Sequence, residues 1–267
     1  MSFIGSLLKG ATTPGFEFGH YIVDQSGEEV GPHGHLDAHI IWAVSGCFTT
    51  EAEGETPNDS NVVVFNPQET YHADRFEAGP ASFFALNIDA WICAEMEHNA
   101  LPSAPTKIGT RSVRALLHRL VTECANWGPD SPLVAESLCF DILNTISTPC
   151  NPERSPPGWL NRAIDMLNEP DRISIAEVAI EAGVHPTHLI RGFRDHVNCT
   201  PGEFRRAARL EAAARHVCGS RETLAEIAGS CGYADQSHFT RHFKRAYGVT
   251  PAIYREETTR AAARKQC

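Results

Sequence analysis

Apolar positions in the first ninety residues come in short runs, each broken by Gly, Pro, Asn or Asp. The runs predict strands at Tyr21–Asp24, His39–Val44, Cys47–Ala52, Asn61–Phe65, Ala73–Phe76 and Ser82–Ile88, and such close spacing points to a β-sandwich or barrel. Residues 1–19 are mixed and Gly-rich, which fits an arm or an irregular first strand. From Arg111 to Trp127 the period lengthens. Val113, Leu116, Leu117, Leu120, Val121 and Cys124 form one broad apolar stripe of a helix. A second helix begins at Pro132, with Val134, Leu138, Ile142 (beside Leu143) and Ile146 at mostly four-residue spacing. The break Gly128-Pro129-Asp130-Ser131 makes the two an antiparallel hairpin, which either covers the strands or offers a self-complementary dimer surface. The Pro-rich stretch Thr148–Gly158 cannot continue a helix and predicts a linker.

Helical periodicity then fills the C-terminal hundred residues. Trp159–Asn168 turns Leu160, Ile164 and Leu167 inward. Ser174 and Glu177 have the spacing of a capping box. Leu224, Ile227, Ala228 and Cys231 follow the i, i+3, i+4, i+7 rule. Gly232 supplies the freedom that a tight turn needs. Phe239 and Phe243 then mark the buried side of a helix from about Gln236 to Tyr247, which leaves Gln236, Thr240, Arg241 and Lys244 outside.

This unit occurs twice. Ile175-Ala176-Glu177-Val178-Ala179 matches Leu224-Ala225-Glu226-Ile227-Ala228 at an offset of 49, and Gly183 matches Gly232. Beyond the turn the offset becomes 50, which aligns His188 with His238, Arg191 with Arg241, Phe193 with Phe243 and Thr200-Pro201 with Thr250-Pro251. The first copy's second helix runs from about Pro186 to Val197. A long helix, Pro201–Cys218, ties the copies together through Phe204, Leu210, Ala214 and Val217. A short helix, a Gly turn and a second helix with a cationic outer face is a helix-turn-helix, able to enter a major groove.

The net charge of −10 argues against nucleic acid until its distribution is considered. Residues 159–267 carry 16 Lys and Arg against 13 Asp and Glu, a net of +3, while residues 1–158 carry 7 against 20, a net of −13. The acidic half should avoid DNA and the basic half tolerate it. Nine scattered Cys without a Cys-x-x-Cys pair fit reduced thiols rather than a disulfide or zinc framework. No membrane span and no secretory signal are expected, so the expected compartment is the cytoplasm.

Gly232-Tyr233, Ser237-His238-Phe239, Arg241, Phe243-Lys244, Tyr247-Gly248-Val249-Thr250-Pro251 and Tyr254-Arg255, with the duplication in register, resemble the DNA-binding domain of the AraC/XylS family of bacterial transcription regulators. The resemblance covers residues 160–257. It implies base-edge contacts by Thr187, Ile190 and Arg191 in the first copy, and by Gln236, Ser237, Thr240 and Arg241 in the second. Arg can take guanine bidentately, Gln can take adenine, and Ile190 could touch a thymine methyl. Arg194 and Lys244 are placed for phosphate. The resemblance further implies promoter DNA, RNA polymerase and a second copy of the chain as partners, and activation as a mode of action.

In the N-terminal half, Gly27-x5-His33-x-His35-x3-His39-x6-Gly46 followed by Pro67-x4-His72 resembles the two metal-site motifs of cupins, small double-sheet barrels. His33, His35 and His72 fall on that family's three His positions and His39 on its Glu position; Glu69 replaces the second motif's middle Gly. His33 and His35 share a strand face by alternation, as does His39 if the strand continues. Such imidazoles suit zinc, iron, nickel or copper. The alternative is that these His are remnants of the barrel, hydrogen-bonded inside it. Trp42 and Tyr71, close to the His in sequence, are candidates for an effector pocket.

The expected fold is α+β in two domains. Residues 1–108 form a cupin-like sensor barrel, 109–147 a helical hairpin for dimerisation, 148–158 a linker, 159–257 two helix-turn-helix units and 258–267 a tail. The expected function is a sequence-specific, one-component transcription regulator controlled by a small molecule or metal in the barrel, and not an enzyme. The competing reading is a cupin-type metal-dependent enzyme, a dioxygenase or isomerase, with a DNA-binding tail. In a third reading the His site itself senses metal.

Overall fold

In the computed structural model, residues 5–23, 29–46, 48–51, 62–76, 81–96, 101–109, 111–147, 156–169, 173–197 and 199–263 are described. Asp24, Gly27, Cys47, Ala52 and Asn61 of the predicted strands and motif, Thr148–Ser155 of the predicted linker and the last four residues lie outside them. The strands are β1 (Ser6–Thr13), β2 (Phe16–Ile22), β3 (Glu29–Gly34), β4 (Ala38–Ser45), β5 (Phe48–Glu51), β6 (Val63–Asn66), β7 (Tyr71–Phe76), β8 (Ser82–Ile88) and β9 (Thr106–Lys107). The helices are α1 (Ala90–Glu95), α2 (Arg111–Ala125), α3 (Ser131–Ser147), α4 (Gly158–Asn168) and α5 (Ile175–Glu181). They continue with α6 (Pro186–Val197), α7 (Pro201–Gly219), α8 (Leu224–Ser230), α9 (Gln236–Tyr247) and α10 (Pro251–Ala263).

The architecture is α+β, with N-terminal sheets and a C-terminal helical domain. One sheet has the order β1-β2-β8-β4-β6-β9, the other β3-β7-β5, and every pairing is antiparallel. The expected closed barrel is not found among the described residues. The two sheets are joined by side chains, including Tyr21, Ile41, Phe48, Val64 and Phe83, rather than by a shared hydrogen-bond ladder. The Gly-rich start is strand rather than arm: β1 pairs with β2 from Ser6 to Thr13.

Both faces of the six-stranded sheet are buried, so its strands read as continuous apolar runs rather than simple alternation. On β4, Ile41 and Ala43 face the small sheet, while Ala38, Ile40, Trp42 and Val44 face the helices. The helix-side core runs without interruption from Phe16, Trp42, Phe65 and Phe84 through α2 and α3 to Phe239, Phe243, Tyr247 and Tyr254 of the C-terminal domain. The apolar stripe of α2 is therefore spent inside the chain, on the sheet and on α9. Phe16 meets Phe140 of α3 edge-on at 5.3 Å between ring centroids.

Buried polar contacts stitch the same seam. Tyr254 Oη bonds to Ser82 Oγ and lies 3.2 Å from His20 Nε2, and Ser45 Oγ donates to Cys218 Sγ at 3.3 Å. A second core is separate. Leu160, Ile164, Leu167, Val178, Leu189, Phe193 and Phe204 form it, with Ala115 of α2 at its edge. Within it Gly192 lets α6 approach α4, because a Cβ there would lie 2.4 Å from the Trp159 ring.

Two outcomes are expected. Gly192→Ala should overpack the second core and cost about 1–3 kcal/mol in chemical denaturation; an unchanged midpoint would show that Trp159 swings aside freely. Burial pushes the His20 imidazole down from 6.5 to about 3. The folded chain thus binds fewer protons than the unfolded one, so this contribution is complete above pH 6.5 and is lost as pH falls from there towards 3. His20→Gln should flatten the decline of stability in that window by up to about 1.4 kcal/mol per pH unit. Parallel curves for the two proteins would contradict the assignment.

Candidate nucleic-acid interface and histidine cluster

α5 and α8 are short, and each begins with a capping box. Ser174 Oγ accepts the Glu177 N–H while Glu177 accepts the Ser174 N–H at 2.7 Å, and Thr223 and Glu226 repeat the pattern. Those hydrogen bonds, led by the one from the backbone, hold the Glu177 and Glu226 carboxyls below their ordinary range. Each helix then turns at a glycine in the left-handed region, Gly183 at φ 73° and Gly232 at φ 76°, where a side chain would be strained. The chain re-enters α6 and α9. Asp235 Oδ1 accepts the His238 N–H at 2.7 Å to start α9, and Gly248 ends it at φ 77°.

The two longer helices share one division of faces. Leu189 and Phe193 on α6, and Phe239 and Phe243 on α9, are fully buried. Thr187, Ile190, Arg191 and Arg194 are exposed on α6; Gln236, Ser237, Arg241 and Lys244 are exposed on α9, with Thr240 half-buried. All nine predicted DNA contacts therefore lie on the two helices that follow the turns, outside the cores. The ends of both helices are tied to α2. Ser112 Oγ donates to the His196 carbonyl at 2.7 Å, and Asn126 Nδ2 donates to the Arg245 carbonyl at 2.6 Å.

The histidines gather at one end of the space between the sheets. His33 and His72 are direct cross-strand partners on β3 and β7, and His39 pairs with Asn66 across β4 and β6. Ligand atoms of His33, His35 and His72 lie within 4.8 Å of one another. The His39 ring stands 4.7 Å from that of His35 and 5.1 Å from that of His72, but its Nε2 is 3.0 Å from Asn66 Nδ2. Three of the four expected ligands thus converge, and the fourth is engaged beside them. Glu69, with φ 58°, is exposed and reaches the cluster only through its N–H, which donates to the His35 carbonyl at 2.9 Å.

Burial, then the neighbouring imidazoles, pushes His35 down to about 4 and His39 down to about 3. Both rings are neutral at pH 7, the state in which an imidazole can serve as a metal ligand. His72 is buried, and among the described residues its ring nitrogens have no hydrogen-bond partner. The carboxylate of Asp74 lies 3.3 Å from its Nε2. A buried polar ring without hydrogen bonds is costly unless something else satisfies it. The donor set of three imidazoles with an adjacent carboxylate fits a divalent transition metal.

Trp42 and Tyr71 do not form a pocket. Alternation turns Trp42 away from the histidines into the helix-side core, 4.7 Å from the His118 ring. Tyr71 is 72% exposed and covers Gly34. Asp74 is the residue the spacing could have singled out, because it follows His72 by two on one strand. Asn66 and the α2 tethers have no local signal.

Residues 178–257 match a family described as a helix-turn-helix domain. The chain is 37% identical over 126 residues to "Probable transcription factor PqrA" of Proteus vulgaris, covering 47% of this chain and 89% of that protein. It is 32% identical over 142 residues to an AraC-like transcription regulator of Streptomyces lividans, covering 48% of this chain and 46% of that one. It is 23% identical over 159 residues to the transcriptional activator RhaS of Pectobacterium carotovorum, covering 56% and 55%. Of the latter two the chain spans about half the length.

Proposed function

Because the chain belongs to the AraC/XylS family of transcription regulators, we propose that it reads promoter DNA through α6 and α9 and that its N-terminal sheets receive the controlling signal. It is a DNA-binding regulator. The observation that carries the reading is the paired geometry. Two capped helices turn at left-handed glycines into helices that bury two large apolar residues and leave an Arg outward, Arg191 and Arg241. Both units act as helix-turn-helix readers. Each inserts its second helix into a major groove, with Arg194 and Lys244 on phosphates. The relatives above are named as regulators, and the enzyme alternative draws no support from them.

His33, His35 and His72 would hold a divalent metal, with Asp74 orienting His72 and His39 completing the polar shell. Supporting this are the 4.8 Å convergence and the buried His72 ring. When bound, the metal would supply a fixed charge that ties the end of β3 to β7 within the small sheet. A signal acts through such a site only by favouring one arrangement of the sheets over another. A homodimer of the family type would use the hairpin's exposed end, where Leu133 is 75% and Val134 38% exposed, since most of the hairpin's apolar stripe is internal.

In a selected-site binding assay Arg241→Ala should cost about 1–3 kcal/mol, concentrated at one base position; a uniform or absent loss would remove Arg241 from base readout. Chelator-free protein should carry about one equivalent of metal, and combined alanines at His33, His35, His39 and His72 should abolish it. Metal well below one equivalent, with DNA binding unchanged in that variant, would leave the histidines a packing role.

A further inference from the structure

Helix α9 carries a pair of histidines that the first repeat lacks. His238 aligns with His188 at the offset of 50, but His242 falls on Gly192, the residue that receives the Trp159 ring. Side chains four apart on a helix are neighbours on one face. The two rings meet there edge to face with centroids 4.4 Å apart, and Nε2 of His238 lies 3.1 Å from Nε2 of His242. Tyr233 is buried behind them, edge-on to both rings at 5.6 and 6.0 Å.

Two nitrogens at that separation fit the coordination sphere of one metal ion. Bonds of about 2.0–2.1 Å, at angles between square and tetrahedral, put two imidazole nitrogens roughly 2.9–3.4 Å apart. The spacing i, i+4 is also the one by which a helix presents two His to a zinc ion. The Nδ1 atom of His238 is buried and has no partner among the described residues, so its ring acts through Nε2. Burial, then His238, then Arg206 and Arg245 lower His242 from its ordinary 6.5, so it is neutral at pH 7. Both rings are half-buried, and His242 opens onto a cleft that Glu203 also lines. Hydrogen bonds from Thr200 hold the Glu203 carboxyl below its ordinary range, and its negative charge offsets part of the field of the arginines.

We propose that His238 and His242 chelate a divalent transition metal on the flank of α9, with water completing the coordination, at a site separate from the histidines of the sheets. The neighbouring arginines weaken the hold on any cation. That favours the ions with the greatest preference for imidazole, nickel, copper and zinc, over magnesium or calcium. The ion bridges two successive turns of α9 and so stiffens the helix that carries Gln236, Arg241 and Lys244. Those three side chains are exposed and are not ligands, so the helix keeps its predicted DNA face when loaded.

The test uses the tag-free full chain, stripped with chelator, dialysed and titrated with nickel(II) sulfate in a calorimeter. Wild type is compared with His242→Gln, with His238→Gln and with the double variant His33→Ala/His72→Ala, the fold of each being checked by circular dichroism. Each α9 variant should lose one class of site. Its nickel affinity there should fall at least about tenfold, a loss that even an outer-shell substitution brings. The sheet variant should keep that class, and nickel should raise its urea midpoint; adding His242→Gln should cancel the rise. In wild type, nickel should broaden the His238 and His242 ring proton signals, which places the ion without any variant. Isotherms unchanged in both α9 variants, sharp signals from both rings, or nickel bound only while His33 and His72 are present would overturn the proposal and leave the pair as a hydrogen bond between rings. Nickel bound on α9 but not by the sheet histidines would remove the earlier metal reading and leave this one standing.

Discussion

The six-stranded sheet has two apolar faces, and the covering of the second one shapes everything beyond it. The small sheet covers Ile41, Val64 and Phe83. Phe16, Trp42, Phe65 and Phe84 on the other side need cover of their own, at roughly 25 cal/mol for each Å2 withheld from water. The chain supplies α2 and α3 and then parts of α7, α9 and α10. The N-terminal sheets and the C-terminal helical domain thus share one hydrophobic core. A displacement of β4 or β8 meets Cys218 or Tyr254 directly, through Ser45 and Ser82.

The two repeated helical units are held unequally. The second belongs to that shared core, whereas the first has a core of its own, closed by Trp159 against Gly192 and joined to the rest through α7 and α2. Close packing transmits small shifts because dense interiors do not absorb them. The relative position of α6 and α9 therefore rests on α7 as a rigid rod and on α2 as a brace. Ser112 and Asn126 satisfy carbonyls at two helix ends that would otherwise turn to water. The brace has a polar centre, where His118 Nε2 of α2 lies 2.5 Å from Glu211 Oε1 of α7, and such a buried hydrogen bond is a specific attachment rather than an additional source of large stability.

The histidine cluster follows from strand pairing. His33 and His72 oppose each other on the small sheet, His39 comes from the large one, and His35 lies just beyond β3. The site therefore spans the seam between the sheets. Neutral rings in a buried setting are prepared for a ligand bond without first losing a proton.

Local signals in the sequence were enough for the two repeated helical units and their faces, though not for α1 or for α10, which continues into the expected tail. The starts and ends of α6 and α9, the capping boxes and the turn glycines all depend on neighbours within four residues, and the repeat at offsets 49 and 50 made each copy a check on the other. The duplicated Arg positions and the three-histidine convergence were legible for the same reason. Closure of the strands was not, because two sheets and one barrel share the same alternation and differ only in which edges pair over long range. Nor could the sequence place Trp42, since a strand buried on both faces gives no hint of which apolar neighbour lies on which side. The brace of α2 and the shared core joined residues more than eighty positions apart. Only tertiary packing decides such contacts, because the free energy that selects them comes from excluding water across the whole assembled surface rather than from any one stretch of chain.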